Sequence, residues 1–168
     1  MIEPILTATD ALKWNQTTNA NWRKLLAAHP EILGLPCDIA RTSTVAQLLQ
    51  HIVAVELRYA EQLLGLPPTD YANIPFDSVD AIYATHDRAS ALYRQALEAG
   101  IDWDRKIEFT TRTMGQMVAS PKTIFFHAIF HGIRHYAQLG TLIRPHGYAV
   151  EWQGDYLLMG ASRPPIVG

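Results

Sequence analysis

Apolar residues recur along this chain in four blocks at three- and four-residue spacing, the period of helices that bury one face. The first block runs from about Thr9 to His29, with Thr9 or Asp10 as cap, Trp14 and Trp22 on its apolar side and Pro30 as its stop. Tryptophans at such spacing predict core packing. After a loop holding Gly34 and Pro36, Thr42-Ser43 offers a second cap, and Val45, Leu48, Ile52, Val55 and Tyr59 continue the period to a break at Gly65 and Pro67-Pro68. A connector from Leu66 to Phe76 leads to a third helix that starts at Asp77 or Ser78 and ends at Gly100.

Between Asp102 and Ala119 the rhythm changes. Ile107-Glu-Phe109-Thr-Thr111 alternates with the period of a strand, Met114-Gly115 supplies a turn, and Gln116 to Ala119 pairs back. Ser120 then caps a long fourth helix with Pro121 at its first position, reaching about Arg144, and the tail from Tyr148 to Gly168 reads as irregular. The pattern predicts an all-α fold: a four-helix bundle with a long crossover connection and a small β-hairpin before the last helix. The length suits a single domain over residues 1–168.

Composition narrows the function classes. Hydrophobic residues make up 48% and charged residues 18%, as in a chain that folds around a core. A net charge of -2 with scattered Lys and Arg offers no footprint for nucleic acid. The apolar runs are too short for a membrane span, and the N-terminus lacks a basic region followed by an apolar core, so the expected compartment is the cytoplasm. The lone Cys37 fits a reducing compartment and reads as a buried, inert thiol. Gly-rich phosphate loops, nucleophile elbows and His-Glu-x-x-His motifs are absent from the sequence.

The chemistry concentrates in the fourth helix. His127, His131 and His135 recur every four residues, and each such step advances only about 40° around a helix axis. Ile124, Gln138 and Leu142 share that side. Two histidines one turn apart form a chelating pair for a divalent transition metal, and spacing alone does not choose between His127 and His131 as the partner in it. A third ligand must come from a facing helix, where His51 lies midway along the apolar stripe of the second. Three neutral imidazoles suit zinc, nickel or iron(II) and leave a position for water or substrate. The ordinary alternative is a set of core histidines bonded to carbonyls or to one another. His86, followed by Asp87 and Arg88, reads as part of a solvated face.

The stretch from Phe130 through Gln138, with His127 before it and Arg144-Pro-His-Gly147 after it, resembles the helix-four signature of the DinB family of metal-binding four-helix bundles. Leu48 to Glu56 is similar to that family's helix-two motif, and Gly154-Asp-Tyr-Leu157 to its closing segment. The resemblance implies His51, His131 and His135 as ligands of a divalent ion, with zinc or nickel foremost. It departs where family members often carry His-His-Arg-Gly-Gln and this chain carries Arg134-His135-Tyr136-Ala137-Gln138.

The resemblance further implies a homodimer and thiol-dependent transferase or isomerase chemistry on a small-molecule substrate, with a low-molecular-weight thiol as partner. Metal-dependent hydrolysis and a non-enzymatic, metal-braced bundle are the rival expectations. Glu56, five residues after His51, is turned about 140° from the ligand face and reads as solvated or interhelical rather than as a general base. Gln138 is positioned to orient a ligand or bound water, and His127, if not a ligand, to shuttle protons.

Overall fold

The computed structural model describes residues 5–162. Four helices form the bundle: α1 (Ala8–Ala28), α2 (Val45–Leu63), α3 (Val79–Glu98) and α4 (Pro121–Ile143). Each of α1 and α2 packs against both α3 and α4, so α1 and α2 occupy opposite corners. The crossover from α3 to α4 carries an antiparallel hairpin, β1 (Ile107–Thr111) and β2 (Gly115–Ala119), registered with Phe109 opposite Met117. No helix among the described residues is long and apolar enough to cross a membrane.

Local chemistry sets the helix starts. Ser78 and Ser120 cap α3 and α4 as the sequence predicts, and Pro121 occupies the first turn of α4. Two starts differ from expectation. α1 begins earlier, because Thr7 and Asp10 form a reciprocal capping box, which makes Asp10 a third-position partner rather than a cap. α2 begins later, at Thr44: Ser43 N–H donates to Gln47 Oε1, and Pro36 bridges to Thr44, which keeps Thr42 and Ser43 in the loop. Gly115 joins β2 with φ of 71°, leaving the hairpin turn to Arg112, Thr113 and Met114.

The tail, expected to be irregular, forms a short 3₁₀ turn at Tyr156–Met159; its last six residues, with Pro164 and Pro165, lie outside the described residues. Trp22 is core and stacks on Tyr136. Trp14 is only half-buried, packs edge-on against Tyr156 and donates to the Gly154 carbonyl at 3.0 Å. Cys37 is buried and accepts from Thr42 Oγ1.

Two apolar clusters fill the two ends of the bundle, one around Leu26, Leu49, Ile82 and Ile143, the other around Leu57, Tyr93, Phe125 and Ile129. A polar layer separates them. Glu56, 1% exposed, accepts from Asn15 Nδ2 at 2.7 Å and pairs with His86 Nδ1 at 2.7 Å. Tyr136 donates to Asn19 at 2.6 Å, and Tyr93 donates to the Glu56 carbonyl at 2.8 Å. His86 is therefore buried, against the expectation of a solvated face. Asp87 and Arg88 do point outward, but His86 lies one turn from Ile82 and Ser90 on the inward stripe, and its charged neighbours in sequence say nothing about its own azimuth. Glu56 is interhelical, and α4 comes close to it because position 132 is glycine: a Cβ there would meet Glu56 Oε1 at 3.2 Å.

Removing the Glu56 carboxylate leaves Asn15 and His86 buried without their partner. We predict that Glu56→Ala lowers unfolding free energy by about 3 kcal/mol or more, read from urea melts; a loss below about 1 kcal/mol contradicts a structural role for this layer.

Candidate metal centre

His51 comes from the middle of α2, and His131 and His135 from successive turns of α4. The packing of these two helices brings the three Nε2 atoms together: His131 Nε2 lies 3.0 Å from His51 Nε2 and 3.2 Å from His135 Nε2. One nitrogen from each ring fits within a 4.8 Å span. A tetrahedral ion with nitrogen ligands at 2.0–2.1 Å sets its ligand atoms about 3.3 Å apart, so the spacing matches a set of donors that shares one ion.

Proton placement fits the same reading. Gln138 Oε1 accepts from His135 Nδ1 at 2.7 Å, which fixes the tautomer and turns the Nε2 lone pair toward the other rings. His131 Nε2 has at most one proton to share between two imidazole neighbours, and its buried Nδ1 has no hydrogen-bond partner among the described residues. Such a trio is poorly satisfied by hydrogen bonds alone. An ion that takes all three lone pairs resolves the conflict at Nε2.

Burial first, then the neighbouring His135 and the Arg112 and Arg134 guanidinium groups, depress the His51 pKa to about 4. Burial and the adjacent histidines push His131 down to about 2. Burial also lowers His135, partly offset by its bond to Gln138. All three rings are held neutral near pH 7, the form that binds metal.

The trio opens on a cavity of about 1070 Å³, between the α2 and α4 faces, the loop before α2 and the hairpin. His127 is exposed on its wall, with its ring 5.5 Å from Tyr59 and 5.7 Å from His131, and it stands outside the trio. Gln138 lines the cavity too. Arg41, Arg58, Arg112 and Arg134 also line it, a convergence that sequence reasoning missed. Two of these were legible. Arg58 follows His51 by seven residues and Arg134 follows His127 by seven, two full turns in each case. Arg41 and Arg112 lie on loops, and only the fold brings them here.

Depressed histidine pKa values have a consequence for stability. Between the ordinary value of about 6.5 and pH 4 the unfolded chain binds protons that folded His51 and His131 refuse, so stability falls as pH drops through that window. The metal-free protein is expected to melt at progressively lower temperature from pH 7 to pH 4.5, and less steeply in the His51→Gln, His131→Gln double variant; parallel curves for the two proteins contradict this.

A search of curated proteins returned no match. Among protein-family models, the one described as the DinB family matches residues 3–161, nearly the whole chain. With its bundle architecture and three-histidine cluster, this chain belongs to the DinB family.

Proposed function

We propose that the protein is a metal-dependent enzyme in which His51, His131 and His135 hold a divalent transition metal, zinc or nickel foremost, and in which a small thiol is activated for a transferase or isomerase reaction. The observation that carries this reading is the convergence of three neutral imidazole nitrogens at the floor of an open cavity of small-molecule size. A bound ion supplies the acidification that turns a thiol or water into a nucleophile at neutral pH.

The chain's own residues do the remaining work. Gln138 holds His135 in the tautomer that presents Nε2 inward. Tyr59 and His127 form one side of the cavity, where the His127 imidazole is free to take up the proton that an incoming thiol gives up and to return it to product. The apolar packing of α2 and α4 behind the trio keeps water from its buried side.

Hydrolysis through the same site differs only in needing no thiol. A purely structural metal brace requires a closed shell, usually with a fourth protein ligand. Among the described residues the cluster has three members and faces the cavity, which favours the open, reactive reading.

After chelation and reloading with zinc, the wild-type protein is expected to retain one ion per chain by mass spectrometry. His51→Ala, His131→Ala and His135→Ala are each expected to lose it, whereas His127→Ala keeps it. Full retention by all three ligand variants rejects the site. Turnover screens with and without a glutathione-like thiol separate transfer chemistry from hydrolysis.

A further inference from the structure

The cavity above the trio carries charge opposite to the chain as a whole. The protein is net negative at -2, yet four arginines line this cavity against a single aspartate, Asp38, an excess of three positive charges. They come from four separate segments: Arg41 from the loop before α2, Arg58 from α2, Arg112 from the hairpin turn and Arg134 from α4. None of the four has an ion-pair partner among the described residues, where the carboxylates that do pair are taken by Arg23, Arg88, His29 and His86. We propose that this arginine wall binds an oxyanion, a carboxylate or phosphate carried by the substrate, and so selects anionic small molecules for the metal centre. The inference rests on the proposed metal site for its catalytic meaning, but the anion-binding wall itself does not.

Several features place these side chains on the wall. Arg58 donates to the Thr69 carbonyl, and Thr69 is itself pinned by its backbone N–H and hydroxyl to the buried Glu61 carboxylate at 2.7 and 2.6 Å. The Arg112 guanidinium lies over the Tyr71 ring at 4.2 Å, which orients it without neutralising it. Arg41 and its neighbour Ala40 both adopt left-handed backbone angles, with φ of 61° and 55°, a strained pair held on the cavity rim.

Arg134 adds a link to the metal. Its Nη2 donates to His135 Nε2 at 3.2 Å, the same lone pair that a metal ion would use. Ion and guanidinium cannot share it, so metal loading releases Arg134 from its one side-chain acceptor among the described residues and makes its fork available to a ligand. A planar guanidinium meets a carboxylate or phosphate with two parallel hydrogen bonds, and a cationic cleft concentrates anions before they dock. The four arginines are gathered at one cavity of a chain that is net negative and form no extended basic stripe, so the cluster does not revive a nucleic-acid role.

The test uses the full chain, metal-free and zinc-loaded, with metal content measured beforehand so that failure of the metal site is seen separately. Succinate and inorganic phosphate are titrated by calorimetry. Saturable binding of either anion is expected in the zinc-loaded protein, and its identity assigns the source as carboxylate or phosphoryl. Affinity should fall about tenfold for each arginine lost in Arg112→Gln and Arg134→Gln, two exposed positions, with circular dichroism unchanged. Loss of Arg134 should matter less in the metal-free protein. In cobalt-loaded protein, 3-mercaptopropionate should bind about tenfold more tightly than its neutral amide, followed through thiolate-to-cobalt absorption. Absence of arginine-dependent binding of both anions overturns the inference. Equal affinity for the acid and the amide also overturns it while leaving the thiol reading intact. No absorption with either thiol rejects the thiol reading and leaves the anion titrations to decide the arginine wall.

Discussion

The Glu56 carboxylate is the contact on which the placement of the site depends. It is almost fully buried, takes hydrogen bonds from α1 through Asn15 and from α3 through His86, and rests against α4 where Gly132 has no side chain. A buried carboxylate is tolerable only when its partners are in place, so α2 has little freedom to slide or rotate against the other three helices. His51 lies five residues before Glu56, and His131 is adjacent to Gly132. The register that satisfies Glu56 is thus the register that brings the Nε2 atoms of His51 and His131 to 3.0 Å. The polar layer and the histidine trio are two faces of one packing solution between α2 and α4.

The trio itself runs against ordinary core chemistry. Three imidazoles converge with too few protons to satisfy one another, one buried nitrogen has no partner among the described residues, and burial strongly disfavours their charged forms. Local conflict of this kind is expected at functional positions, where the surrounding structure over-determines an arrangement that would not assemble by itself. The same holds on the cavity rim, where Ala40 and Arg41 take successive left-handed conformations between residues that are otherwise well bonded. Cationic groups gathered beside the histidines disfavour their protonated forms and leave the cavity with an excess of positive charge.

Much of this was legible in the sequence because helical periodicity carries it. The four helices, the hairpin before α4, the caps at Ser78 and Ser120, and the placing of His51, His131 and His135 on facing stripes follow from spacing and end signals. The α1 cap at Thr7 lies two or three residues before the expected one and the α2 cap at Thr44 one or two residues after it, since several threonines and serines compete there and only backbone geometry selects among them. His86 departs from the solvated face expected of it because its charged neighbours Asp87 and Arg88 do not share its helical azimuth. The arginine wall was only half legible. Arg58 and Arg134 sit two turns from histidines on their own helices, whereas Arg41 and Arg112 reach the cavity through loop paths that no period encodes.

If the three histidine nitrogens hold one ion with a position left open to the cavity, the coordination shell of that ion must change when a thiol enters. X-ray absorption at the zinc edge of the reloaded protein, before and after addition of a small thiol, tests it most directly. Three nitrogen neighbours at about 2.0–2.1 Å are expected with one further light atom, replaced on thiol addition by a single sulfur at about 2.3 Å. A shell of four protein ligands that is unchanged by thiol would contradict it.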